Sequence, residues 1–170
     1  FEFSSNFIMI ERYSREELKN IWSDYNKYSL WLEIELAAAE AMEKYKIIPK
    51  GVSKKVRQKA KINPKRILEI ENKVKHDVIA FLTSITEKVG IEAKYLHKGM
   101  TSSDVLDTCF NLQLKQSGEI LVKDLDLLLS SIKKQANKHK FTLCIGRSHG
   151  IHAEPITFGL KMLSFYQEFI

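Results

Sequence analysis

Between Val105 and Lys138 the apolar residues fall at helical spacing: Leu106, Cys109, Phe110, Leu114, Ile120, Leu121, Leu125, Leu128, Leu129, Ile132 and Ala136. Recurrence at three and four residues predicts one long amphipathic helix. Gly118 lies within it, at a cost of about 1 kcal/mol relative to alanine unless close packing requires it. A helix of over thirty residues runs roughly 50 Å at ~1.5 Å per residue, which is the scale of a helix bundle. This feature sets the fold class as all-α. An N-terminal helical domain over 9–100 is expected to precede the beginning of a long central bundle over 101–170.

The rest of the chain supports a helical reading. Ser14-Arg15-Glu16-Glu17 has the form of a capping box, with Ser14 as N-cap, ahead of Leu18, Ile21 and Trp22. A second helix is predicted through Leu30, Trp31, Ile34, Ala37, Ala38, Ala41, Met42 and Tyr45, ended by Pro49-Lys50-Gly51. A basic helix follows from about Ser53 to Lys61. Asn63-Pro64 starts another through Ile67, Leu68 and Ile70. His76-Asp77 opens a further helix that ends near Gly90. Residues 91–100 show no clear period. Phe141–Ile145 is a short apolar run, strand or extended. Residues 146–150 read as a turn-rich loop, and Pro155 as the first turn of a last helix through Phe169. That apolar pattern is still running at Ile170, so the polypeptide is expected to continue. Residues 1–8 match no pattern and are read as an extension ahead of a native start at Met9.

Net charge is +6, and it is concentrated: twelve Lys/Arg but only two acids, Glu69 and Glu71, lie between Lys44 and Lys75. Such a run fits a solvated face, a nucleic-acid surface or attraction of a small polyanion. Interleaved aromatics are nearly lacking, which weakens a single-strand nucleic-acid role. No apolar run approaches the ~20 residues that span a bilayer. The two cysteines, Cys109 and Cys144, are far apart and form no metal spacing, which fits a reducing, cytoplasmic setting.

Three segments at helix boundaries collect polar residues beyond structural need. Lys75-His76-Asp77 is the first. The second is Gly99-Met100-Thr101-Ser102-Ser103-Asp104, whose hydroxyls at a helix N-terminus suit a carboxylate or phosphate. The third, Gly146-Arg147-Ser148-His149-Gly150-Ile151-His152-Ala153-Glu154-Pro155, combines histidines suited to proton transfer near neutral pH with glycines that permit close backbone approach. A metal held by His149, His152 and Glu154 and a purely structural loop are alternatives to proton transfer, although the spacing is not that of a zinc-binding helix.

These segments together resemble the adenylosuccinate lyases of the fumarase/aspartase superfamily. The strings that carry the resemblance are MIERYS (9–14), ILEIE (67–71), HDVIAF (76–81), GMTSSDVLDT (99–108) and GRSHGIHAEPITFGLK (146–161). The resemblance implies β-elimination of fumarate from adenylosuccinate, giving AMP, and from the succinylated aminoimidazole carboxamide ribotide. It implies no metal and no organic cofactor. It places Arg12 and Tyr13 near the nucleotide, Lys75, His76 and Asp77 at the substrate, and His76 toward the phosphate. Thr101 and Ser102 fall on a succinyl carboxylate, His149 on the general acid, and Thr157 on the pocket wall. It further implies a serine base on a later loop absent from this chain, and a homotetramer with shared active sites. Argininosuccinate lyase is an alternative within the superfamily; a basic nucleic-acid-binding module is one outside it. Two positions depart from the pattern. Lys75 stands where arginine is frequent, which keeps the charge but loses the bidentate fork. Ser148 stands where threonine is usual, which keeps the hydroxyl.

Overall fold

The structure, a computed structural model, describes residues 11–170. The proposed extension and Met9-Ile10 therefore lie outside the described residues. The element order is α1 (Glu16–Ile21), α2 (Asp24–Lys44), α3 (Val52–Lys59), α4 (Pro64–Val74), α5 (Asp77–Val89), α6 (Ser102–Lys138), β1 (Leu143–Ser148), β2 (Ile151–Thr157) and α7 (Phe158–Phe169), with short 3-10 turns at Glu11–Tyr13 and Ile91–Tyr95. The helical expectation holds, and α6 reaches Lys138 as its apolar period predicts. The described residues divide into two compact units, 11–117 and 118–170.

The first unit is built on an aromatic cluster. Tyr28 and Trp31 of α2 meet Phe81 of α5, with ring centroids 5.2–6.1 Å apart. Leu36, Val56, Ile67, Val78, Ile85 and Val105 complete a core fully closed to solvent. The first half of α6 is tied to the α1–α2 turn. Gln113 Nε2 donates to the Ile21 carbonyl at 2.8 Å, and Trp22 Nε1 donates to Ser117 Oγ at 3.1 Å.

The buried stripe of α2 differs from the expected one. Tyr28, Trp31, Glu35, Leu36 and Ala39 face the core, whereas Ala37, Ala41 and Tyr45 are exposed. The pattern was hidden because a glutamate occupies a core position. The N-cap of α1 is Arg15 rather than Ser14, so the helix starts one residue later than the capping-box pattern predicts. Asn63 caps α4 as expected, its side chain accepting from the Arg66 N–H at 3.2 Å.

Helix α3 starts from Gly51, in the left-handed region at φ 90°, and glycine offers no side-chain cap. Glu43 of α2 supplies it instead. Its carboxylate accepts from the Gly51 N–H at 2.8 Å and the Ser53 N–H at 2.6 Å. These backbone donors hold the Glu43 carboxyl below the usual carboxylate range. A carboxyl depressed in the fold stabilises it when ionised. The contribution is complete above the unfolded value and is lost as pH falls through the folded value. Glu43→Gln is expected to lower unfolding free energy by about 1 kcal/mol at pH 7, as for a lost cap. Urea unfolding at pH 7 and near pH 3 should show the gap between variant and wild type closing in acid.

Four of the twelve basic residues between Lys44 and Lys75 are ion-paired at the surface. Arg57 meets Glu33 at 2.6 Å and Glu40 at 3.6 Å, and Lys55 and Lys59 meet Glu92 at 3.2 and 3.8 Å. Arg66 forks onto Glu87, at 2.6 and 3.1 Å, and reaches Glu69 at 2.9 Å. Acids, mostly from neighbouring elements, thus offset part of a run that looks unbalanced in sequence, which favours the solvated-face reading for that part. Among the described residues, no helix is long and apolar enough to cross a membrane.

In the second unit, 143–157 corrects the expected loop and early helix. It is an antiparallel hairpin in which Ser148 pairs with Ile151 and Leu143 with Thr157. Pro155 lies in β2 opposite Ile145, not in a helix. A two-stranded ribbon has only edges, where the missing proline N–H is tolerated. Helix α7 begins three residues later, at Phe158, with Thr157 as N-cap accepting from the Leu160 N–H at 3.1 Å.

Candidate active site

The 75–77 segment is a helix-to-helix junction. Lys75 ends α4 in the left-handed region at φ 55°, its N–H donating to the Glu71 carbonyl at 2.7 Å. His76, not Asp77, is the N-cap of α5: its Nδ1 accepts from the Ile79 N–H at 3.4 Å. Asp77 occupies the first helical position and accepts from the Val78 N–H at 2.7 Å. Val78, Ala80 and Phe81 are buried directly behind the junction. The core therefore anchors α5, while Lys75 and His76 stay exposed.

The 99–104 segment forms the start of α6, three residues earlier than its apolar pattern suggests. Thr101 precedes the helix, and Ser102 and Ser103 are its first residues. The Thr101 N–H donates to Asp104 Oδ2 at 2.8 Å, and the Asp104 N–H donates back to the Thr101 carbonyl at 3.1 Å. Asp104 thus closes the turn. Thr101 is exposed and Ser102 half-buried, beside backbone N–H groups at the positive end of a 37-residue helix. Helix N-termini favour carboxylates and phosphates for this reason.

Residues 146–155 are the tip of the hairpin. His149 and Gly150 are its two turn residues, with φ of 50° and 77°. Positive φ at both central positions makes the tight turn that matches strand twist. His149 is exposed at the apex. A register shift between Ile145 and Arg147 leaves Gly146 facing the carbonyl of Glu154, where a Cβ would come within 2.7 Å of that oxygen. Such bulges re-aim the residues beyond them. Among the described residues, no cluster of three potential ligands could hold a metal, so His149, His152 and Glu154 do not converge. Thr157 serves as the N-cap of α7.

Arg12 and Tyr13 sit together in the first 3-10 turn, the guanidinium 4.8 Å from the ring centre, and both are exposed. A depression of about 820 Å³ is lined by residues such as Glu40, Glu43, Lys44 and Lys50 and contains no candidate residue.

One residue at these segments has no counterpart in the sequence reading. His97 is left-handed at φ 57° and opens the turn into Gly99-Met100-Thr101, its carbonyl accepting from the Met100 N–H at 3.5 Å. Lys75, His97 and His149 are three of the four described non-glycine residues at positive φ, the other being Lys46. Backbone strain of this kind gathers at functional sites. The one signal in sequence was a histidine two residues ahead of Gly99.

Residues 11–169 match a family model described as Lyase. An adenylosuccinate lyase from Streptococcus mutans serotype c is 51% identical over 160 residues, covering 94% of this chain and 37% of that protein. The chain thus spans well under half the length of that relative. A crystal structure of a fumarate lyase from Mesorhizobium sp. BNC1 matches with a TM-score of 0.86 at 24% identity, over 92% of this chain and 38% of that one. Beta-carboxy-cis,cis-muconate cycloisomerase from Acinetobacter calcoaceticus sp. ADP1 matches with a TM-score of 0.83 at 25% identity, over 91% and 38%. The hairpin, the α4–α5 junction and the start of α6 all fall within the matched residues, and the protein belongs to the lyase family of the fumarase/aspartase superfamily.

Proposed function

We propose that this chain is part of an adenylosuccinate lyase, eliminating fumarate from adenylosuccinate and from the succinylated aminoimidazole carboxamide ribotide. The 51% identity to a protein of that name, across all the candidate segments, carries the reading. In the reaction a base takes a proton from the carbon beside a carboxylate, the carbon–nitrogen bond breaks, and fumarate leaves. His149 donates a proton to the departing nitrogen. Its place at the apex of a two-residue turn supports this role: the ring is exposed, and the backbone beneath it is fixed. Thr101 and Ser102 receive a succinyl carboxylate at the start of α6. Lys75, His76 and Asp77 bind the substrate, with His76 toward the phosphate, and Arg12 and Tyr13 lie by the nucleotide.

The base and further pocket residues come from chain beyond this one, and the working enzyme is a homotetramer. Exposed Leu121, Val122, Leu127 and Leu128, distributed around α6, support an assembly that covers this part of the helix. The test is loss of adenylosuccinate, followed by absorbance. The full-length protein is expected to release AMP and fumarate, and the 170-residue piece alone to be inactive. Turnover by the piece would show that the base has been misassigned, and no turnover by the full-length protein would remove the lyase reading.

A further inference from the structure

Glu35 lies in the core of the first unit with 1% of its surface exposed. A buried carboxylate is costly unless donors meet its oxygens. Both donors come from one residue. The His97 N–H donates to Oε2 at 2.6 Å, and His97 Nδ1 lies 2.6 Å from Oε1. Core stability alone does not explain the pair, since apolar residues of similar volume often stabilise as well or better. The pair also secures a left-handed histidine, a conformation that persists only where its surroundings over-determine it. His97 opens the turn that delivers Thr101 and Ser102 to the start of α6.

We propose that Glu35 is a positioning residue of the lyase site: by gripping both the backbone and the ring of His97, it sets the turn that presents Thr101 and Ser102. With Glu35 ionised, Nδ1 carries a ring hydrogen, and in the neutral ring Nε2, on the far side, is left with the lone pair. The carboxylate therefore fixes a tautomer as well as a backbone path. This inference rests on the reading of the chain as part of a lyase.

Glu35→Gln in the full-length enzyme tests it. The amide keeps the shape and can accept from the His97 N–H. Its NH2 then faces Nδ1 and requires a lone pair there, which moves the ring hydrogen to Nε2. KM for adenylosuccinate is expected to rise about tenfold with kcat within about threefold of wild type, because binding geometry is disturbed and not proton transfer. A purely structural group would lower the melting temperature and leave KM unchanged in the folded fraction. KM within about twofold of wild type overturns the proposal. If Glu35→Gln does not fold, His97→Asn serves. Asparagine tolerates the left-handed region, keeps the backbone bond and removes the ring. The same rise in KM is expected, and an unchanged KM again overturns the proposal. An inactive wild type would sink the lyase reading and this inference with it, whereas unchanged KM beside an active wild type sinks the inference alone.

Discussion

Replacing His149 by asparagine in the full-length enzyme is expected to lower kcat by roughly 10²–10⁴-fold, the usual contribution of a general acid. Asparagine is the informative choice because of the backbone. At φ 50° followed by Gly150, position 149 belongs to a turn that favours Asn-Gly above other pairs. Folding should therefore be undisturbed or slightly improved, with a melting temperature at or above that of wild type. The side-chain amide cannot supply a proton at neutral pH. Alanine would confuse the two effects, since it adds backbone strain to the loss of the acid. Turnover of the asparagine variant within about threefold of wild type would remove His149 from the role of acid.

The second large effect concerns stability. Phe81→Ala should destabilise the fold by about 3–5 kcal/mol, the range for a fully buried aromatic. Phe81 has no exposed surface, stacks on Tyr28 and meets Trp31 edge-on. Its loss removes apolar burial and opens a cavity between two helices whose partners cannot easily close it. Because His76 caps α5, slackening here should also loosen the junction that carries Lys75 and His76. Chemical unfolding measures the first effect, and hydrogen exchange at the Val78–Ala80 amides measures the second. A loss below about 1 kcal/mol would mean that the core repacks around the gap.

Much of this architecture was legible in the residues, for identifiable reasons. Helix α6 declared itself because its apolar period continues over many turns, and Asn63-Pro64 marked the start of α4 because both residues act locally. Of the hairpin only the start of the first strand was legible, in the apolar run at 141–145. Both strands are largely exposed, so no alternation of apolar and polar residues betrays them, and Pro155 imitates a helix start while sitting on an edge. The choice of His76 over Asp77 as cap is a matter of one residue, below the resolution of pattern. Glu35 was missed for a deeper reason. Periodicity counts a glutamate as surface, and only the partner supplied by distant His97 shows it to be interior. The candidate segments were found through their composition and through family resemblance, whereas the strain within them became visible only in the backbone.

That strain has a consequence for any search that improves this protein by selecting for folding. At Lys75 and His149 a glycine would relieve a left-handed conformation that costs an ordinary side chain about 1 kcal/mol or more. Selection for heat resistance or expression would then enrich substitutions at the same positions that selection for turnover discards. A library scored both ways should show opposite signs at these two residues, and agreement at Phe81.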